Sequence, residues 1–186
     1  GFGRQRQATR HFRLPPARLA HSPAAVIGTC LYATAVEHHG PTALVLTRQN
    51  VTVCTDGSAV ARGAGVVRSA DAPQVVLLAT GSEVSLCVEA AEALAQQGVA
   101  ASVVSMPSWD RFETQSADYQ ASVLPAGVPV LSVEAGVTFG WHRWADDAVG
   151  IDRFGASAPG GTVMDKLGIN VSNVVARATA LIARKG

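Results

Sequence analysis

The stretch Gln74–Ser105, QVVLLATGSEVSLCVEAAEALAQQGVAASVVS, decides the fold. It opens on Gln74–Ala79, an apolar run of strand length, the pattern of a strand buried on both faces. Thr80–Glu83 then turns into a helix. Ser82 is the expected N-cap, and Glu83 stands in the first turn, where a carboxylate meets the positive end of the helix dipole. Val84, Leu86, Val88, Ala91 and Leu94 supply the apolar residues of that helix, and Gly98 is a natural stop. Val99–Ser105 is a second strand, ended by Met106-Pro107-Ser108.

Downstream the alternation continues. A helix is expected over Thr114–Leu124, a third strand over Val128–Glu134, and helices over Gly161–Leu167 and Ser172–Ala183. Ile151–Phe154 is a short segment of undecided type. Strands alternating with helices make an α/β fold of three layers, a mostly parallel sheet with helices on both faces. Upstream, Thr42–Thr47 is a short apolar run that reads as a buried strand ending at Arg48-Gln49-Asn50. Residues 51–74 carry Gly57, Gly63, Gly65 and Pro73 and read as a linker, with a short strand near Gly65–Arg68.

Bulk composition narrows the function. The 186 residues are 48% hydrophobic, enough to bury a core, and 15 basic residues against 14 acidic leave a net charge of +1. That balance gives no basis for a nucleic-acid or anionic-membrane partner. No apolar run approaches the roughly 18 residues that a spanning helix needs. Cys30, Cys54 and Cys87 fit neither a zinc spacing nor a disulfide framework, so reduced thiols acting as small hydrophobes in a cytosol-like compartment are expected.

Candidate chemistry is sparse. The turn Ala79–Glu83 offers free backbone N–H groups that can bind an anion. However, Gly81 stands alone, and Glu83 repels a phosphate, so the balance favours a structural cap. Glu134-Ala135-Gly136 lies at the carboxyl end of a strand, where open α/β sheets bind ligands. Glu134 can serve there as an acid or base, or anchor the loop through backbone N–H groups, and the second reading is favoured. His38, His39 and His142 lie in no metalloprotease or triad pattern, and His38-His39 reads as a solvated helix end. The serines lack the elbow motif of a hydrolase. Trp109, Phe112, Phe139, Trp141 and Trp144 plug the core or mark an interface, the latter slightly favoured. Arg48 is the most suggestive polar residue. A guanidinium at a strand end can grip a phosphate through two parallel hydrogen bonds, or form a structural ion pair.

Five segments together resemble transketolase. GPTALVLTRQN (40–50) looks like the end of its pyrimidine-binding domain. VVLLATGSEVSLCVEAAEAL (75–94) is similar to the opening of its C-terminal domain, and VVSMPSWDRFETQ (103–115), LSVEAGVTFGWHRW (131–144) and DRFGASAPGGTVMDKLGINVSNVVARA (152–178) resemble segments that follow in order. Related thiamine enzymes, such as the pyruvate dehydrogenase β chain and deoxyxylulose phosphate synthase, share the domain fold. MPSWDRFETQ and FGASAPGG favour transketolase over both.

The resemblance implies transfer of a two-carbon ketol unit between sugar phosphates by a homodimer that uses thiamine diphosphate and a divalent metal, usually Mg2+. It implies a sugar-phosphate contact for Arg48, which stands in the family's [ST]RQN motif. It implies no catalytic, cofactor-binding or metal-binding side chain in the C-terminal domain, so no cofactor is expected to bind this fragment alone. The expected organisation is a basic leader over 1–34, disordered or non-native, then a remnant of the pyrimidine-binding domain over 35–50. A linker over 51–70 and the C-terminal domain over 71–186 complete it. The leader holds five arginines and no acidic residue before Glu37, and it lacks the segments the family places upstream. An upstream frame shift or a chimeric fragment is expected in preference to a transit peptide. The competing readings are a stand-alone interaction module and a part of another thiamine enzyme.

Overall fold

A computed structural model describes residues 23–46 and 51–185 of the chain. Two helices, α1 (Pro23–Glu37) and α2 (Ser58–Arg62), precede strands β1 (Gly65–Arg68) and β2 (Val75–Ala79). Then come α3 (Glu83–Gln96), β3 (Ala101–Ser105), α4 (Trp109–Glu113), α5 (Ala117–Val123), β4 (Val130–Val133), a 3-10 turn (Trp141–Arg143), β5 (Asp147–Val149), α6 (Gly160–Lys166) and α7 (Val171–Lys185).

The strands form one sheet in the order β1-β3-β2-β4-β5. The pairs β2–β3, β2–β4 and β4–β5 are parallel, and β1 adds to the edge in antiparallel sense against β3. The three central strands are apolar throughout because both their faces are covered. Period-two alternation divides their side chains. Val75, Leu77, Ala79, Val103, Leu131 and Val133 point to one face, where Cys87, Ala91 and Leu94 of α3 and Val174, Ala178 and Leu181 of α7 cover them. Val76, Leu78, Val104 and Val130 point to the other, under Phe112 of α4, Val123 of α5, Met106 and Trp141. This is the three-layer α/β sandwich that the alternation predicts.

Several local expectations are revised. Residues 42–46 form no strand, and Val45 and Leu46 are 88% and 60% exposed, because this run finds no partner strand among the described residues. Thr47 lies outside the described residues. The expected linker holds α2 as well as the anticipated strand β1. The helix expected over Thr114–Leu124 is present as α5, and the short helix α4 before it was not expected. The Ser108 hydroxyl accepts from the Arg111 amide and caps α4, and the Ser116 hydroxyl accepts from the Tyr119 amide and starts α5. The last strand is Asp147–Val149, upstream of Ile151–Phe154. It escapes pattern reading because it is three residues long and begins on a carboxylate. Its neighbours explain that residue: Asp147 accepts from Arg177 and Arg184 of α7, while Asp146 pairs with Lys185 and accepts from the Val130 amide. The leader expected over 1–34 lies largely outside the described residues, except that 23–34 belong to α1.

Candidate functional site

The loops at the carboxyl ends of the parallel strands are where an open α/β sheet holds ligands, at the point where its connections diverge. Here β2 has β3 on one side and β4 on the other, so the divergence lies between β2 and β4. Thr80 ends β2 and Glu134 ends β4. The Thr80 hydroxyl donates to Glu134 Oε2 at 2.7 Å and bolts the crevice shut. Burial raises the Glu134 pKa, the Thr80 hydroxyl opposes that rise, and the neighbouring Glu83 carboxylate adds to it. The anchoring reading of Glu134 holds in kind, with a threonine hydroxyl as the partner in place of the expected backbone N–H groups.

The adjoining turn is no better suited to an anion. Ser82 precedes α3, but its hydroxyl does not accept from a backbone amide; it donates to Glu83 Oε1 at 2.8 Å. Glu83 is 5% exposed at the head of the helix. An open hollow of about 390 Å3 beside it is lined by Val51, Ser82, Glu83, Leu86, Met164 and Asn170. A buried carboxylate therefore occupies the positive end of α3, where a phosphate would otherwise sit.

The loops after β4 and β5 are cross-braced. The Thr138 amide and hydroxyl both donate to Asp152, each at 2.8 Å, and the Ile151 amide donates to the Gly136 carbonyl at 2.7 Å. These loops end in two bare aromatics, Phe139 and Phe154, 85% and 98% exposed.

The aromatic set resolves differently from the slight preference for an interface. Phe112 and Trp141 are buried, and Trp109 and Trp144 pack on the same cluster. Trp109 meets Trp141 edge-on at 4.9 Å, and Phe112 meets Trp144 at 5.2 Å. These four are core plugs, because α4, α5 and the 3-10 turn are too short to cover the sheet with aliphatic side chains alone. Phe139 alone of the five stays in solvent. His38 and His39 are exposed just past the end of α1, as a solvated helix end should be, and His142 is exposed on the 3-10 turn. Cys30, Cys54 and Cys87 are free thiols, and burial, with lesser help from Glu83 and Cys54, pushes the Cys87 pKa far up. Arg48 lies outside the described residues.

Pattern reading missed Arg111 on α4, whose guanidinium reaches two helix ends at once. An arginine in a helix reads as a solvated side chain, and nothing in its local sequence announces partners 50 and 77 residues away.

The residues present do not fit a metal-bound diphosphate. Among the described residues no three His, Cys, Asp or Glu side chains gather into a metal-holding group. The crevice between β2 and β4 is closed and flanked by carboxylates. Among them, too, no helix is long and apolar enough to cross a membrane.

Residues 63–170 match the family described as the transketolase-like C-terminal domain. The transketolase of Halalkalibacterium halodurans is 50% identical over 155 residues, covering 78% of this chain and 23% of its own length. Among solved structures, transketolase from Leishmania mexicana superposes with a TM-score of 0.82 at 42% identity, covering 86% of this chain and 24% of that one. Transketolase from Pichia stipitis, solved in complex with sedoheptulose 7-phosphate, superposes with a TM-score of 0.80 at 36% identity over the same shares of the two chains. The chain thus spans about a quarter of the length of the relatives it matches.

Proposed function

Because this chain belongs to the transketolase family, through its transketolase-like C-terminal domain, we propose that it is the C-terminal part of an enzyme that moves a two-carbon ketol unit from a ketose phosphate to an aldose phosphate. The observation that carries this reading is the 50% identity over 155 residues. The sugar-phosphate class draws support from the related Pichia stipitis enzyme, solved with sedoheptulose 7-phosphate.

The part played by these residues is scaffold and dimer support. Ketol transfer needs thiamine diphosphate, whose ring supplies the carbon nucleophile and electron sink, and magnesium to hold the diphosphate. On this reading both are held by other parts of the enzyme, which the Thr80–Glu134 bond across the β2–β4 crevice supports. The bolted crevice and the buried Glu83 suit a bracing domain and not a reacting one. A second copy of the chain completes a homodimer, and the enzyme works in the cytoplasm. Arg48 is the residue that reaches the substrate. Its guanidinium, in the run Thr47-Arg48-Gln49-Asn50, grips the sugar phosphate.

Two measurements test this. Calorimetry of the 186-residue chain with thiamine diphosphate and Mg2+ is expected to show no tight stoichiometric binding, and such binding would contradict the scaffold role. A chimera in which residues 35–186 replace the matching C-terminal segment of the Halalkalibacterium halodurans transketolase is expected to be dimeric and active in ketol transfer. Within it, Arg48→Ala removes a charge-assisted pair of hydrogen bonds and raises KM for phosphorylated sugars about 10- to 100-fold, since bonds to charged groups contribute about 1.5–3 kcal/mol. A dimeric, cofactor-loaded chimera without turnover would refute the assignment.

A further inference from the structure

Val137 and Phe139 lie on the loop after β4 and Phe154 on the loop after β5, and all three are exposed. The bases of these two loops are fastened together. Asp152 accepts from both the amide and the hydroxyl of Thr138, and the Gly136 carbonyl accepts from the Ile151 amide. A Cβ added at Gly150 would stand 2.7 Å from Thr138 Cγ2 and 2.9 Å from the Gly136 carbonyl oxygen, so the loops meet without slack. One apolar side chain in water needs no explanation, but here braced loops present three. Aromatic side chains fixed in place before contact lose little freedom when a partner covers them.

The surface around them carries no charge. Residues 135–141 and 154–164 contain no acidic or basic side chain. Aromatics combined with a lack of charge mark the centre of an interface. The path of the chain says what covers it. The Phe154 loop runs directly into α6, which Gly160 begins. Val51 and Thr52 reach the same helix, lining one hollow with Gly161 and Met164. Val45 and Leu46 before them, and Val51 and Val53, are exposed and apolar as well. The polypeptide thus comes in from upstream beside the helix that the Phe154 loop starts.

We propose that this face, with Phe139 and Phe154 as its anchors, docks the domain on the part of the enzyme that precedes it in sequence, against a surface that is itself apolar and uncharged. The proposal rests on the transketolase reading above, whose relatives extend well beyond the quarter of their length that this chain covers.

Hydroxyl-radical labelling of side chains, read by mass spectrometry, compares the 186-residue chain with the chimera, which retains every residue of this face. Phe139 and Phe154 are expected to be labelled freely in the chain alone and at least ~10-fold less in the chimera, as burial of an interface anchor requires. A double variant, Phe139→Ser with Phe154→Ser, adds a second readout. In the 186-residue chain both side chains lie in solvent, so its urea midpoint is expected to stay within about 0.25 M of wild type. In the chimera the same pair of changes is expected to make the C-terminal domain unfold ahead of the rest, near the midpoint of the chain alone. Equal labelling of the two phenylalanines in chain and chimera, whether or not the chimera turns over, overturns the docking. Protection already present in the chain alone, with sedimentation as a dimer, gives the face to a second copy and overturns it too. A chimera with both phenylalanines protected but no turnover leaves the docking standing, and the ketol-transfer assignment is what falls.

Discussion

Gly63 and Gly81 share a left-handed backbone, φ +85° and +52°, but not their surroundings, and replacing each by alanine separates backbone strain from packing. A Cβ on Gly81 meets nothing within 4 Å. Gly81→Ala therefore bears only the cost of an L side chain in the left-handed region, about 1 kcal/mol. A Cβ on Gly63 would stand 2.4 Å from the Phe112 amide nitrogen, 2.4 Å from the Ser108 carbonyl oxygen and 2.8 Å from Arg111 Cβ. Two of those three are backbone atoms of α4 and its cap, so relief requires moving the helix. Overpacking of that kind costs a further 1–3 kcal/mol or so. The Ser108–Gly63 hydrogen bond, about 1 kcal/mol, is strained with it. Gly63→Ala is expected to destabilise by about 3–5 kcal/mol, a gap of at least ~2 kcal/mol over Gly81→Ala. Urea unfolding followed by circular dichroism reads this directly. With a slope of about 2 kcal/mol per molar, the Gly63→Ala midpoint falls by about 1.5 M or more and that of Gly81→Ala by about 0.5 M. Midpoints that coincide would refute the close approach of α2 to α4.

Phe112→Ala, which empties the middle of the aromatic layer, is expected to cost about 4 kcal/mol by the same urea assay. Burial raises the Glu134 pKa from its ordinary value, so the stability it contributes is present at low pH and is lost as pH rises through its folded-state value. Glu134→Gln keeps an acceptor for Thr80 without the charge. Its Tm is expected to exceed that of the wild type at pH 8 and to match it near pH 4. Asp147 behaves oppositely. Desolvation pushes its pKa up, but the Ala148 amide and the Arg177 and Arg184 guanidinium groups outweigh that and hold it low. Asp147→Asn should lower Tm at pH 7, with the deficit narrowing as pH falls below about 4, where the unfolded-state carboxylate protonates, and closing only below the depressed folded-state value.

The layered architecture was legible because its central strands are buried on both faces, and a run such as Val75–Ala79 has no other comfortable location. The same rule misled at residues 42–46, where an apolar run carries the composition of a buried strand but no strand among the described residues pairs with it. Helix caps were harder to read: Ser82, the expected cap of α3, turns its hydroxyl to Glu83, while Ser108 and Ser116, which do cap α4 and α5, were not singled out. Strand β5 escaped because long-range ion pairs to α7 settle it, and those partners are not local. The candidate site divides in the same way. Glu134 could be singled out from its place at a strand end, but its partner Thr80 lies 54 residues away, and only the sheet order brings the two together.

The two sides of the sheet differ in how they report on themselves. All three indoles, Trp109, Trp141 and Trp144, lie with α4, α5 and the 3-10 turn, and none lies among the aliphatic side chains under α3 and α7. Intrinsic fluorescence is thus a one-sided gauge, blind to a peeling away of α7, whereas ellipticity draws on the helices of both sides. Melting curves that part company between these two signals would show the layers coming off in turn.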